Sequence, residues 1–428
     1  MAAPQAKLDA LAARIAGLSF PVAGWLGAAR ADALDRLAAM GLPGKRDEYW
    51  RYTDPAALTG AVPLAAALFD ESDEAVAFSG IDRVKLVFVN GVFDTAQSDD
   101  PALAGVEIEH LADAGAADIH WAREVYGVLE TRGQTPVQRP LATLATAFAT
   151  GGLLIRATGK AAKPVSLIYL QGSDTSDVIL HHCIKVESGA ELTLLENGNA
   201  AARLTMVMEV EVAAGGRFHH IRAQGRAHQR HAATHVFARL GAKALFKSFT
   251  VTANGALTRN DAVIELVGDD AVAHVAGAAV GDGAFHHDDT VFVTHQGLRC
   301  ESRQVFKKVL KNGATGVFQG KILVKKGAQK TDGYQISQAL LLDDDSQFLA
   351  KPELEIYADD VKCSHGSTSG AIDDTALFYL RSRGVPEKAA QSLLVLAFLA
   401  EAMAEIDDAD IAEDIRARLE SWLARHEH

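Results

Sequence analysis

The sequence predicts a mainly β protein with a β-solenoid core and helical regions at both ends of the chain. Three observations lead to this fold class. Residues 1–60 and those after 370 carry apolar side chains at the three- and four-residue spacing of helices. From about residue 153 apolar and polar side chains alternate, as in half-buried strands. Turn-forming pairs then recur at a nearly constant spacing. We divide the chain into 1–150, 151–368 and 369–428.

The N-terminal region begins with two Ala- and Leu-rich segments, LDALAARIAGL and LGAARADALDRLAAMGLP. The second ends at Gly41 and Pro43, a typical helix stop. The segment VKLVFVNGVFD predicts a hairpin with Asn90 and Gly91 at its turn. The segments HWAREVYGVLE and PLATLATAFAT predict further helices before the β core.

The β core is recognised by its turns. RLTMVMEVEV alternates strictly, as a strand with one buried face does. Turn pairs follow one another at an even spacing or at twice that spacing, at Gly189-Ala190, Gly215-Gly216, Gly241-Ala242, Gly255-Ala256, Asp269-Asp270, Gly283-Ala284, Gly297-Leu298, Gly313-Ala314 and Gly327-Ala328. This spacing indicates a repeating unit of about 13 to 14 residues, with one strand and one turn in each. A unit of this size buries its apolar face only when coils stack, so we favour a solenoid over a sandwich.

The C-terminal region predicts three helices. Asp373 or Asp374 is the expected N-cap of the first, and Gly384 is its expected end. Val385-Pro386-Glu387 begins the second helix. DIAEDIRARLESWLARHEH forms the last.

The composition excludes several classes of protein. A net charge of −13 argues against nonspecific binding to nucleic acid or to an anionic membrane. No apolar run reaches the roughly 18 residues of a membrane helix, and the first residues lack the pattern of a signal peptide. Three widely spaced cysteines imply no disulfide framework. We therefore expect a reduced, cytoplasmic protein. GVFQGK does not match a phosphate loop, so we expect no nucleotide site.

Histidines are concentrated between residues 181 and 295, where eleven of the sixteen occur. Adjacent histidines on a strand point to opposite faces, so His181 and His182 cannot bind one metal ion together. Histidines of neighbouring coils could share an ion, because strands stack about 4.8 Å apart. No spacing here matches a known metal motif, and we expect mainly solvated side chains with a few in the core.

Cys363 and His365 lie two residues apart in DDVKCSHGSTSG. In an extended segment they face the same side and are able to converge on one ligand. A zinc or iron–sulfur site needs about four ligands, so Cys300, another coil or a second chain would have to complete it. An equally good interpretation is that Cys363 is a small buried residue and that His365 caps the following helix.

Three motifs together resemble the SufD family, which supplies a subunit of the SUF iron–sulfur cluster assembly machinery. They are GLPGKRDEYWRYTD, PLATLATAFATGGLLI and PELEIYADDVKCSHGSTSGAIDDTALFYLRSRGV. The resemblance covers the whole chain and implies a right-handed parallel β-helix. It implies pairing with a SufB-like subunit, with His365 at that interface and Cys363 beside it. It also implies a transient cluster at that interface, no tightly bound cofactor in the isolated chain, and a homodimer when SufB is absent.

The resemblance further implies that the C-terminal helices bind a SufC-like ABC-type ATPase, the seat of any ATPase activity. We expect its contacts at Asp374, Phe378, Tyr379, Arg381 and Arg383. The alternative is that Leu377, Phe378 and Leu380 only pack against the solenoid. Taken together, the resemblance implies that the chain is a non-catalytic scaffold subunit.

Two other functions stay open from the residues. A β-helix enzyme acting on a carbohydrate needs converging carboxylates, for which Asp282, Asp288 and Asp289 are candidates. A stand-alone metal-binding protein would use the histidine cluster.

Overall fold

The computed structural model describes residues 3–21, 24–69, 76–115, 117, 120–225 and 228–426, and its elements follow the predicted order of helices, strands and helices. The helices in this part of the chain are α1 Gln5–Ile15, α2 Leu26–Met40, α3 Ala56–Thr59, α4 Leu111–Ala114, α5 Val128–Arg132, α6 Pro140–Phe148, α7 Asp374–Ser382, α8 Glu387–Met403 and α9 Ala409–Arg425. The strands are β1 Val84–Val89, β2 Val92–Asp94, β3 Glu107–His110, β4 Leu153–Ala157, β5 Val165–Leu170, β6 Asp177–Val186, β7 Glu191–Gly198, β8 Arg203–Val212, β9 Arg217–Gln224, β10 His231–Leu240, β11 Leu245–Ala253, β12 Leu257–Leu266, β13 Val272–Asp282, β14 His286–His295, β15 Glu301–Lys311, β16 Thr315–Val324, β17 Asp332–Leu341, β18 Gln347–Ile356 and β19 Lys362–Gly370.

Successive strands of the core alternate between two sheets, which confirms the predicted solenoid. Sheet A has the order β19-β17-β15-β13-β11-β9-β7-β5-β1-β2, and sheet B has the order β18-β16-β14-β12-β10-β8-β6-β4-β3. Along sheet B, His231 pairs in parallel with Arg203 of the preceding coil and with Leu257 of the following coil. One coil therefore contains two strands, and the repeating unit that the turns predict is half a coil.

Glycine is required in the turns of the solenoid for two different structural reasons. Gly189 and Gly215 have φ values of +70° and +68°, a conformation that side chains disfavour. Gly268 instead lies against the preceding coil, because a Cβ atom there would be 2.0 Å from the backbone nitrogen of Ala242. The even spacing in the sequence thus reports both the turn conformation and the close stacking of coils.

Helices cover the outer faces of both sheets, and the core between the sheets is filled by inward-pointing side chains. The N-terminal helices pack on sheet B, where Tyr126 and Leu141 join Val207 and Phe237. The C-terminal helices α8 and α9 pack on sheet A through the apolar side chains of Val395, Leu399, Trp422, Phe249 and Val280. Within the described residues no helix is long and apolar enough to cross a membrane.

Three strands of the N-terminal region, β1, β2 and β3, belong to the sheets of the solenoid. The predicted hairpin forms as β1 and β2, and β1 also pairs in parallel with β5, so the hairpin extends sheet A. HWAREVYGVLE forms a 3₁₀ turn, Trp121–Glu124, followed by α5 rather than one helix. At the other end β19 continues to Gly370, so the predicted boundary after residue 368 lies inside this strand.

The motif GLPGKRDEYWRYTD attaches the N-terminal region to sheet B. The guanidinium of Arg259 lies 4.2 Å from the ring centroid of Trp50 and donates to the carbonyl of Tyr49 at 2.8 Å. The same guanidinium pairs with Asp288 at 2.6 Å, and Thr53 donates to that carboxylate at 2.6 Å. A buried ion pair with these partners fixes the motif in place.

Candidate functional site

The two ends of the solenoid differ. At the N-terminal end the last strands, β2 and β3, run antiparallel to their neighbours and terminate both sheets. At the C-terminal end β18 and β19 are the outermost strands of sheets B and A, and each pairs with a single strand of those that the structure describes. Most of their side chains are exposed or half-buried. We call β18 and β19 the open end, because their outer backbone groups are free to pair with another strand.

Cys363 lies on β19 and faces the interior between the sheets. Its side chain packs partly buried against the apolar cluster of Ile322 and Val324. Burial raises the pKa of this thiol above its ordinary value. Since the thiolate is the nucleophile and the metal ligand, the isolated chain holds Cys363 in its less reactive form.

His365 is two residues further along β19, on the same side of the strand. Its side chain is exposed and has no hydrogen bond or ion pair to any residue that the structure describes. It pairs in register with Gln335, whose amide donates to Gln304 at 2.8 Å. Gln304, Gln335 and His365 thus form a column of polar residues that ends at the open end.

Cys300 does not complete a site with these two residues. It precedes β15, two strands from β19 in sheet A, which corresponds to about 10 Å. Its thiol donates to the carbonyl of Gly268 at 3.2 Å. A ligand site at Cys363 and His365 would therefore need its further ligands from residues other than Cys300.

Most of the central histidines are buried, so the expectation of solvated side chains is wrong. Side chains with 2% exposure or less are His181, His182, His220, His235, His287 and His295. The opposite orientation of neighbouring histidines is confirmed: His181 contacts Glu209 at 2.8 Å under the N-terminal helices, whereas His182 lies 3.2 Å from Tyr169 in the interior. The opposite sheet buries the inner face of these strands, and the N-terminal helices bury the outer face of sheet B.

One group of side chains has metal-binding residue types. Ligand atoms of His181, Cys183 and Glu209 lie within 4.8 Å of one another, and all three residues are buried. The oxygens of Glu209 accept the backbone N–H groups of Gly127 and Glu130 at 2.5 and 2.7 Å, which caps α5. Burial raises the pKa of Cys183 well above its ordinary value. The carboxylate already has partners and the thiol is protonated, so the geometry supports a helix-capping role. The sequence signal that we missed was the two-residue spacing of His181 and Cys183.

A chain of polar contacts runs through the interior between the sheets. The hydroxyl of Tyr169 donates to Glu196 at 2.8 Å, and Glu196 accepts from Arg222 at 2.7 Å. Arg222 donates to Thr234, which donates to Asn260, each at 2.8 Å. The next group joins Lys308 to Asp289 at 2.5 Å and to His287 at 2.7 Å. Interior polar groups that are paired in this way specify one register of the coils.

The carboxylates proposed for a carbohydrate enzyme do not converge. Asp288 faces the N-terminal region and pairs with Arg259, whereas Asp289 faces the interior and pairs with Lys308. Asp282 accepts from Asn312 at the end of β13. Neighbours on one strand point to opposite faces, so these groups cannot flank one glycosidic bond.

Helix α7 is the least buried helix among those described. None of its residues is buried, and Phe378 and Tyr379 are 73% and 55% exposed. The alternative that Phe378 only packs against the solenoid is therefore wrong. Arg383 stacks on the ring of Tyr379 at 3.5 Å, and Arg381 pairs with Glu387 at 3.2 Å. An exposed aromatic pair with arginines at its rim is typical of a protein-binding surface.

A cleft of about 430 Å³ separates α7 from the helices that cover sheet A. Leu377 and Ile372 line one side of it, and Trp422 and Leu423 line the other. No pattern in the sequence indicates this cleft, because it results from the way α7 projects from the end of β19.

Comparison with known proteins identifies the family. Residues 169–398 match the family described as SUF system FeS cluster assembly, SufBD core domain. The chain belongs to the SufBD family. It is 30% identical over 408 residues to the iron–sulfur cluster assembly protein SufD of Escherichia coli K12, covering 90% of each chain. It is 26% identical over 424 residues to SufD of Bacillus subtilis, covering 94% of each.

A SufBD family protein of Synechocystis is 28% identical over 426 residues, covering 90% of this chain and 89% of that protein. These relatives support a SufD-type member of the SUF system with a role in iron–sulfur cluster assembly. Within this family the C-terminal motif is informative, because it runs from β18 through β19 to the end of α7. The open end and the exposed helix are thus encoded in one continuous stretch of the sequence.

The buried histidines predict acid sensitivity. Burial lowers the pKa of His235 to about 4, whereas the unfolded chain has a value of about 6.5. Because the folded state holds this imidazole neutral, the free energy of unfolding should fall as the pH drops from about 6.5 toward 4, by up to roughly 1.4 kcal/mol per pH unit. Urea unfolding between pH 7.5 and 4.5 measures this slope.

The variant that tests this is His235→Gln. It should flatten the dependence of the unfolding free energy on pH by about one bound proton, since it removes one buried imidazole. If the free energy of unfolding has the same pH dependence in the wild type and in His235→Gln, His235 is not the buried neutral imidazole that causes the acid sensitivity.

Proposed function

We propose that this chain is a cytoplasmic, non-catalytic scaffold subunit that pairs with a SufB-like subunit through the open end. The observation that carries the proposal is the pair of outermost parallel strands, β18 and β19, at one end of an otherwise covered solenoid. An exposed strand edge favours pairing with another edge. A homologous solenoid offers the same geometry, so both sheets would continue across the interface.

In this proposal the nascent iron–sulfur cluster is the cargo of the interface. His365 supplies an imidazole ligand or handles a proton, and Cys363 supplies or supports a second group. Two residues are too few to hold a cluster, so the partner chain supplies the remaining ligands. The raised pKa of Cys363 fits a group that becomes reactive only after the partner has bound.

We further propose that α7 and the start of α8 bind a SufC-like ABC-type ATPase, through Asp374, Phe378, Tyr379, Arg381 and Arg383. Binding at α7 and pairing at the open end would be coupled, since β19 leads into α7 through a short connection. ATP hydrolysis in the partner would then change the contacts at the interface without a nucleotide site in this chain.

Co-purification tests the proposal. The tagged chain is expressed with the SufB-like and SufC-like proteins of its own organism, and the subunit composition is measured by light scattering. A stable ternary complex is expected. Expressed alone, the chain is expected to form a homodimer that the SufB-like subunit dissociates. A monomer that binds neither partner would refute the scaffold function.

A further inference from the structure

Arg230 is a buried cation without a counter-charge among the described residues. It lies directly before β10, and its side chain is 2% exposed. Its Nη2 donates to the hydroxyl of Thr258 at 2.9 Å. Its Nε is buried without a partner in the described part of the chain, and no carboxylate there forms an ion pair with it. Burying a guanidinium without a negative partner costs several kcal/mol.

The charges around Arg230 do not balance it. Glu196 lines the same small cavity as Arg230, but it is already paired with Arg222 at 2.6 Å and contacts His220 at 2.6 Å. Burial and the charge of Arg222 lower the pKa of Arg230 to about 10, so it stays protonated at neutral pH. Burial together with the charges of Arg230 and Arg203 also lowers the pKa of His231. Counted over the described residues, this part of the interior therefore carries an excess positive charge.

A small cavity lies beside the guanidinium. Its volume is about 20 Å³, and its lining includes Arg222, Arg230, Gln224 and Thr234. A water-sized species needs about 10–15 Å³, so one such species fits and a phosphate does not. A Cβ atom at Gly255 would lie 3.1 Å from Nη2 of Arg230, so a glycine at this position leaves room for the guanidinium.

We propose that Arg230 binds one small monovalent anion of halide size inside the solenoid. The unpartnered Nε and the guanidinium charge favour an anion over a water molecule. The ligand would lie beside Arg230, whose Nη2 already joins the turn before β10 to Thr258 on the neighbouring coil. This site does not depend on the partners of the chain, and it lies several strands from β19.

Bromide locates the site directly. Crystals of the full chain grown in sodium bromide are measured at the bromine absorption edge. An anomalous peak within about 3.5 Å of the Arg230 guanidinium is expected. A map with no bromide at this position overturns the proposal, and so does a peak that remains in Arg230→Met.

Thermal unfolding provides an independent test in solution. At constant ionic strength, the unfolding midpoint of the wild type should be about 1–3 °C higher in chloride than in gluconate. Arg230→Met should lose this rise, and in gluconate it should be at least as stable as the wild type, because it removes an unpaired buried charge. The control is Arg299→Gln, which alters an exposed arginine paired with Asp270 and should keep the full chloride effect. An equal chloride effect in Arg230→Met contradicts the proposal; if this variant does not fold, the bromide map of the wild type decides.

Discussion

Replacing His365 by alanine is expected to lower the amount of assembled iron–sulfur cluster by roughly tenfold or more, the usual scale for groups that support a metal site. The fold should be unaffected, because the side chain is exposed and has no polar contact with a described residue. Pairing with a SufB-like subunit should persist as well, since backbone groups of β18 and β19 supply most of the proposed contacts.

The measurement is reconstitution of the purified ternary complex with iron and sulfide, followed by visible absorbance and iron content. Ser364→Ala is the matched control, because Ser364 is exposed on β19 next to His365 but faces the other side of the strand. Cys363→Ser should lower the yield as well, since the proposal makes Cys363 a second group at the same interface. Wild-type cluster content in His365→Ala, with the complex intact, would remove His365 from the site.

Local patterns were sufficient to predict the architecture. The alternation of β8, which Val207 interrupts, and the even spacing of turns report local geometry, which depends on neighbours in sequence. The prediction of one buried face for β8 is wrong, because both faces of this strand are buried. The N-cap of α7 was also predictable, and Asp373 does accept the backbone N–H of Ala376 at 2.8 Å. These features need no knowledge of which coil lies beside which.

The interior chemistry could not be predicted in this way, because it depends on register between coils. Glu209 contacts His181 from the next coil of the solenoid, and Arg230 meets Thr258 across one coil as well. A shift of one residue in either strand would move these side chains to the opposite face. The histidines were therefore visible as a cluster, but their burial was not.

The placement of Cys363 and His365 was partly predictable. Their spacing predicts one face of one strand, and β19 has this geometry. What the spacing does not show is that β19 is the last strand of its sheet, since this depends on where the repeat stops and α7 begins. On an inner strand, the same two residues would simply pack in the core between the sheets.

The double variant Phe378→Ala, Arg381→Ala is expected to weaken binding of the SufC-like ATPase by at least roughly 100-fold, because exposed aromatic and arginine side chains dominate such interfaces. It should leave the fold intact, since α7 contains no buried residue and Asp373 caps it locally. Titration of the purified ATPase into the chain measures the loss.

The matched control is Arg416→Ala, which removes an exposed arginine paired with Glu413 on α9, away from α7. It should bind the ATPase like the wild type. Pairing with the SufB-like subunit should survive in the α7 variant, because the open end is a separate surface. Loss of both partners at once would instead mean that α7 and β19 form one surface, and unchanged ATPase binding would place the ATPase elsewhere on the chain. A variant that keeps SufB pairing but loses the ATPase separates assembly of the scaffold from its coupling to ATP hydrolysis.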